Sequence, residues 1–166
     1  MYPYNKNTKL YETSLEMKEK AKENQVATLA EDRRLLEILY MAQQENADLA
    51  ERFASLMTDA RMADSVNILK AMYLDELKHM NQIKEAYYLI TNQKDEAIPK
   101  GNPPTLSGQE LLEDTLLLEI DNGDFYRTLH LTMPTQELRD IFFEISSDKM
   151  SHSNALTYLF SKYYSR

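Results

Sequence analysis

A chain of 166 residues with 43% apolar and 28% charged side chains is long enough to bury one real core and has the balance of a soluble globular domain. The formal charge of −8 comes from acidic residues scattered along the chain, and no basic patch with interleaved aromatics is present, which argues against nucleic acid as a partner. The absence of Cys excludes a disulfide framework, a thiolate metal site and a thiol nucleophile, and no run approaches the ~18–20 apolar residues of a membrane span.

Only three Gly and five Pro are available for turns, so a few long helices are expected rather than many short strands, and the fold class is all-α. The polar start, MYPYNKNTKL, lacks the apolar core of a signal peptide, and a cytoplasmic location is expected. Residues 11–28 are strongly charged and helix-compatible with few apolar anchors. We expect a partly helical N-terminal extension over 1–28 and a helical bundle over 29–166.

Within the bundle four stripes follow helical spacing. The first is Leu35, Leu39, Ala42, Asn46, Leu49, Phe53 and Leu56, followed by a polar break at Thr58–Asp64. The second is Leu69, Tyr73, Glu76, Met80, Ile83, Tyr87 and Ile90. The stretch 92–106 then holds Pro99, Gly101, Pro103 and Pro104 and reads as a connector. Extended, it spans about 50 Å, against about 45 Å for a 30-residue helix, so it can run the bundle's length and join two parallel helices. Ser107 and Glu110 have the spacing of a capping box that opens the third helix. Its stripe is Leu112, Leu116, Glu119, Gly123, Tyr126 and His130. Pro134 marks the next turn, and Leu138, Phe142, Ile145, Lys149, His152, Leu156 and Leu159 form the fourth stripe. Two short connections around one long crossover between helices 2 and 3 describe a four-helix bundle.

The halves read as a weak repeat. A shift of 73 residues brings Asp75 onto Asp148, His79 onto His152, Leu39 onto Leu112 and Phe53 onto Tyr126. Asn46 and Glu76 lie 30 apart, as do Glu119 and Lys149, all on core stripes where an apolar residue would be cheapest. His79 and His152 each follow three residues later on the same face. A buried carboxylate must be paired or metal-bound, so a polar site at mid-bundle is expected. Tyr40, Tyr73 and Tyr126 read as core aromatics whose hydroxyls find partners, His130 as a helix-end group, and Gly123 as a point of close helix approach.

This constellation resembles the ferritin-like superfamily, in particular its rubrerythrin-like branch, over about residues 30–162. The stretches LSGQELLEDTLLLEI, FYRTL and LRDIFFEISSDKMSH also resemble the bacterial spore coat protein F family. The resemblance implies one Glu from each of two helices and a Glu-x-x-His from each of the other two, together holding two irons. The matching positions are Asn46, Glu76 with His79, Glu119, and Lys149 with His152, so the candidate metal ligands are Glu76, His79, Glu119 and His152. Asn46 and Lys149 stand where the family has Glu, and an ammonium has no lone pair to offer a metal.

Three arrangements are open. Lys149 replaces the metal charge by pairing with Glu76 and Glu119, leaving a metal-free network with no cofactor. Alternatively, one iron or other divalent metal sits on Glu76, His79, Glu119 and His152. In the third arrangement Glu45 and Asp148 turn inward as substitute ligands for a distorted dimetal site. The implied function is a ferritin-like protein with a degenerate dimetal site and no catalytic residue, a spore-coat or stress-associated structural component, cytoplasmic or in the spore coat, and a homo-oligomer, most simply a dimer. The alternative is a rubrerythrin-like metal-dependent oxidase or peroxidase.

Overall fold

Helix α1 (Arg33–Met57) opens where Asp32, in extended backbone, accepts a hydrogen bond from the Arg34 N–H at 3.0 Å. The computed structural model describes residues 32–164, so the extension expected over 1–28 lies outside them. The polar break becomes a 3₁₀ turn (Ala60–Ser65) opened by Asp59, which accepts from the Arg61 N–H at 2.9 Å. It feeds α2 (Val66–Thr91), which stops at Asn92 in left-handed backbone with φ 54°, a conformation Asn tolerates better than most residues. Helix α3 (Gly108–Thr132) and α4 (Gln136–Tyr164) complete the bundle. Among the described residues there is no strand, and no helix is long and apolar enough to cross a membrane.

The capping box expected at Ser107 and Glu110 does not form. Ser107 occupies the N-cap position of α3, but its side chain makes no capping bond. Gly108 takes φ +56°, which turns the first peptide of the helix away from the geometry such a box requires. The α3–α4 turn is held at its other side. His130 Nδ1 lies 2.9 Å from the Arg139 carbonyl, and Arg139 Nη1 donates to the carbonyls of Met133 and Pro134 at 3.0 Å each.

The stripes expected on α1 and α4 are buried throughout. On α2 the buried set is Leu69, Met72, Glu76, His79, Ile83, Ala86 and Ile90, while Tyr73, Met80 and Tyr87 are half-buried. On α3, Leu116 and His130 are half-buried, and Thr115 and Leu129 go inside. The buried set on α2 keeps the same mean spacing but steps by 3 and 4 where the expected stripe steps by 4 and 3, so alternate positions shift by one residue, and α3 shifts the same way at Thr115 and Leu129. Tyr40 is exposed, so of the three tyrosines expected in the core only Tyr126 is fully inside.

Helix α1 runs antiparallel to α2 and to α3, and α4 runs antiparallel to α3 and to α2. Arg52 meets Asp114 at 2.9 Å and Asn46 meets Tyr126 at 2.6 Å. Lys78 and Lys162 reach Glu144 and Asp64 at 2.6 and 2.8 Å. The connector between α2 and α3 advances along α1. Asp95 accepts from Gln43 at 2.6 Å, the Lys100 carbonyl from Gln44 at 2.8 Å, and Asp48 from the Asn102 N–H at 2.8 Å. Two apolar clusters fill the ends of the bundle, one around Leu39, Ile83, Phe125 and Phe142, the other around Phe53, Leu69, Leu112 and Leu156. The polar residues of the four stripes lie in the layer between them.

Candidate functional site

Each helix contributes to that layer. Helix α1 supplies Asn46, α2 Glu76 and His79, α3 Glu119 and Tyr126, and α4 Lys149 and His152. Glu76, His79, Glu119 and Lys149 are 0% exposed and His152 4%, so water screens almost none of the charge here.

Lys149 points inward. Its Nζ donates to Glu76 Oε2 at 2.6 Å and stands 3.5 Å from Glu119 Oε2. His152 Nδ1 lies 3.3 Å from Glu76 Oε1 and 3.5 Å from Glu119 Oε1. The outer nitrogens of the two imidazoles are bound across the α2–α4 contact. Asp75 takes His152 Nε2 at 3.2 Å, and Asp148 takes His79 Nε2 at 3.1 Å. Each half's Asp thus fixes the other half's ring, a support that sets ring orientation and basicity. On the α1–α3 side Asn46 Nδ2 donates to Tyr126 Oη and to the Ala42 carbonyl, both at 2.6 Å.

The electrostatics follow from burial and proximity. Burial pushes the Glu76 carboxyl up, but the Lys149 ammonium and the imidazoles of His152 and His79 outweigh it and hold the group well below its ordinary range. Burial pushes Glu119 up as well. There Lys149, at longer range, offsets only part of the rise, and Glu76 adds to it. Burial works against the charged form of Lys149, yet Glu119 and Glu76 hold it above its usual value. His152 is likewise disfavoured as a cation by burial, but Glu119 and Glu76 raise it to about 10. Burial also lifts the Tyr126 phenol well above its ordinary value. Two buried carboxyl groups therefore face two basic groups, Lys149 and His152, shielded from the water that would screen the charge.

Of the four candidate metal ligands, three converge. One ligand atom each from Glu76, Glu119 and His152 lie within 4.8 Å of one another. His79 is set back, its Nδ1 3.7 Å from Glu76 Oε1 and its Nε2 held by Asp148. The substitutes stand apart from this group: Asp148 is turned to His79 and Lys78, and the half-buried Glu45 lines a groove between α1 and α3.

Glu76 Oε1, both Glu119 oxygens, His152 Nδ1 and His79 Nδ1 are buried without a hydrogen bond, and such convergent orphans are what a single small cation would satisfy. The donor set of two carboxylate oxygens and one imidazole suits one divalent ion. Binding it requires loss of the His152 proton, because metal ligands must be deprotonated. A second ion does not fit, since Lys149 Nζ already sits between the carboxylates.

Sequence reasoning identified the inner residues of the layer but missed the crossed Asp–His pairs and the bond between Asn46 and Tyr126. Part of the signal for the first was present: both helices carry Asp-x-x-x-His, which puts each Asp on the face of its own helix's His, but not its pairing with the His of the other helix. Fold and site define an all-α four-helix bundle with an ionised layer through its core. Comparison of the chain with protein-family models, curated proteins and solved structures finds no match.

Proposed function

We propose that the chain is a ferritin-like bundle whose dimetal site is degenerate, and that it acts as a non-catalytic structural protein of the spore-coat or stress-associated kind that its third and fourth helices resemble. One observation carries this reading. The Lys149 ammonium, fully buried, stands 2.6 Å from Glu76 and 3.5 Å from Glu119, where it supplies positive charge without a metal. The connector's course along α1 supports the single crossover of that fold. With the Lys149 ammonium in the place of a second metal, the layer orders the four helices and performs no redox chemistry.

The second reading, a rubrerythrin-like oxidase or peroxidase with one metal, is favoured by the 4.8 Å grouping of Glu76, Glu119 and His152. Elemental analysis decides between them, on protein expressed with iron and manganese supplied, together with Lys149→Glu and an assay of iron-dependent turnover with peroxide or oxygen. The structural reading expects no stoichiometric metal in the wild type, a gain in Lys149→Glu, and no wild-type turnover. One metal equivalent with iron-dependent turnover in the wild type overturns it in favour of the oxidase.

A further inference from the structure

The internal repeat places two equivalent grooves on opposite sides of the bundle, and only one is filled. On the outer side of α1 and α2, residues 98–101 of the connector lie against a groove lined by Ala47, Ala50, Glu51 and Leu77. The fit is close, since a Cβ on Gly101 would stand 2.2 Å from the Ala47 carbonyl oxygen. The 73-residue shift carries these four positions to Ile120, Gly123, Asp124 and Met150, on the outer side of α3 and α4. There Ile120 is 41% and Met150 49% exposed, and none of the described residues covers them.

The apolar surface continues along this side to Leu131 and Phe143, 55% and 59% exposed. The order of residues is palindromic. Ile120, Asp124, Arg127 and Leu131 follow steps of 4, 3 and 4 along α3, which places them on one face of the helix. Beside them on α4, Met150 flanks Gly123 at the Ile120 end and Phe143 packs its ring 5.3 Å from that of His130 at the Leu131 end. Two apolar pairs thus flank a central Asp124 and Arg127, both exposed.

We propose that this α3–α4 face is a dimer interface that binds a second copy of the chain about a two-fold axis passing between Asp124 and Arg127. Such an axis lays α3 antiparallel on its copy. Asp124 then meets Arg127 of the partner subunit and Arg127 meets Asp124 of the partner subunit, while each Ile120–Met150 pair covers the other copy's Leu131–Phe143 pair. An isologous contact requires this self-complementarity. The axis lies near the C-terminal end of α3, so residues 119–132 overlap with the copy, about 20 Å of helix, which places the contact among small, reversible interfaces.

The test is the oligomeric state of the full chain by sedimentation velocity and light scattering over a concentration series. The wild type is expected to dimerise reversibly within the concentration series, with a dissociation constant of about 1–100 micromolar. Asp124→Arg alone and Arg127→Asp alone each weaken it by about tenfold or more, because the two-fold axis places two like-charged contacts in every dimer. The double reversal restores it, an outcome that general damage to the surface does not produce. Ile120→Lys gives a monomer with wild-type helix content and a melting temperature that no longer rises with concentration, while Leu74→Lys, an exposed position on α2, leaves the dimer intact. A wild type that stays monomeric at all concentrations overturns the proposal. So does a dimer that survives Ile120→Lys, or one whose charge reversals do not rescue each other.

Discussion

Replacing Lys149 by Met keeps its length and removes its charge, leaving Glu76 and Glu119 buried with only His152 as counter-ion. Losing one partner of a buried ion pair costs about 3–5 kcal/mol, most of it the desolvation of the charge left behind. Urea denaturation of Lys149→Met is expected to show a loss of that size, and adding Glu76→Gln and Glu119→Gln to recover at least half of it. If the triple variant is no more stable than the single one, the ion-pair account of the layer is wrong. Tyr126→Phe supplies a contrast. Its hydroxyl accepts from Asn46 Nδ2, but that nitrogen keeps a second acceptor in the Ala42 carbonyl. The expected loss is therefore only about 1 kcal/mol, the net worth of one neutral hydrogen bond. A loss as large as that of Lys149→Met would mean that Tyr126 holds more of the layer than its one bond to Asn46.

The elements differ in how plainly the sequence declares them. The stripes of α1 and α4 are apolar enough that one register buries them and every other register exposes Leu or Phe. On α2 the choices come in adjacent pairs, Met72 or Tyr73, His79 or Met80, Ala86 or Tyr87, and a step rule cannot choose within a pair. Packing decides. The interior takes the small Ala86 and the bonded His79, while Tyr73 and Tyr87 keep their hydroxyls near water. The connector's length was legible from its Pro and Gly content, but its path was not, because the amides and carboxylates that bind it to α1 look in sequence like any solvated surface. Two glycines test how tightly the elements meet. In Gly101→Ala the new Cβ would stand 2.2 Å from a backbone oxygen and 2.6 Å from Glu51 Cγ, so the connector must lift from α1, at an expected cost of about 1–3 kcal/mol. In Gly123→Ala the nearest atom is Met150 Sδ at 3.1 Å, the far end of a flexible and exposed side chain. It can move aside, and the gain in helix propensity, up to about 1 kcal/mol, makes that variant neutral or more stable. Thermal melts that rank the two variants the other way round would contradict this account of both contacts.

At the scale of the whole molecule, an ionised layer divides the core into two apolar clusters and makes stability depend on pH. The repeat made the equivalence of Asp75 with Asp148 and of His79 with His152 legible. That each Asp serves the opposite half's His depends on how closely α2 approaches α4, which no single-helix pattern encodes. The consequence for stability comes mainly from His152. Its ordinary value of 6.5 is raised to about 10 in the folded chain, so the folded state holds a proton that the unfolded state releases earlier. Its contribution is complete below about pH 6.5 and is lost as pH rises toward 10, at no more than ~1.4 kcal/mol per pH unit. Lys149 has the same sign, but its ordinary value is 10.5, so it matters only at higher pH. At the acid end Glu76, held low by Lys149, contributes stability above its ordinary carboxylate range that is lost as pH falls through its folded value, and the upward shift of Glu119 opposes part of that loss. Unfolding free energy from urea titrations should therefore fall by a few kcal/mol between pH 6.5 and 10, and His152→Gln, which cannot titrate, should flatten the profile over that window. A wild-type profile already flat there would show that His152 is neutral in the folded chain. The two carboxylates would then have Lys149 as their only buried cation, and the convergent orphans Glu76 Oε1, Glu119 Oε1 and His152 Nδ1 would be free to take up a divalent ion.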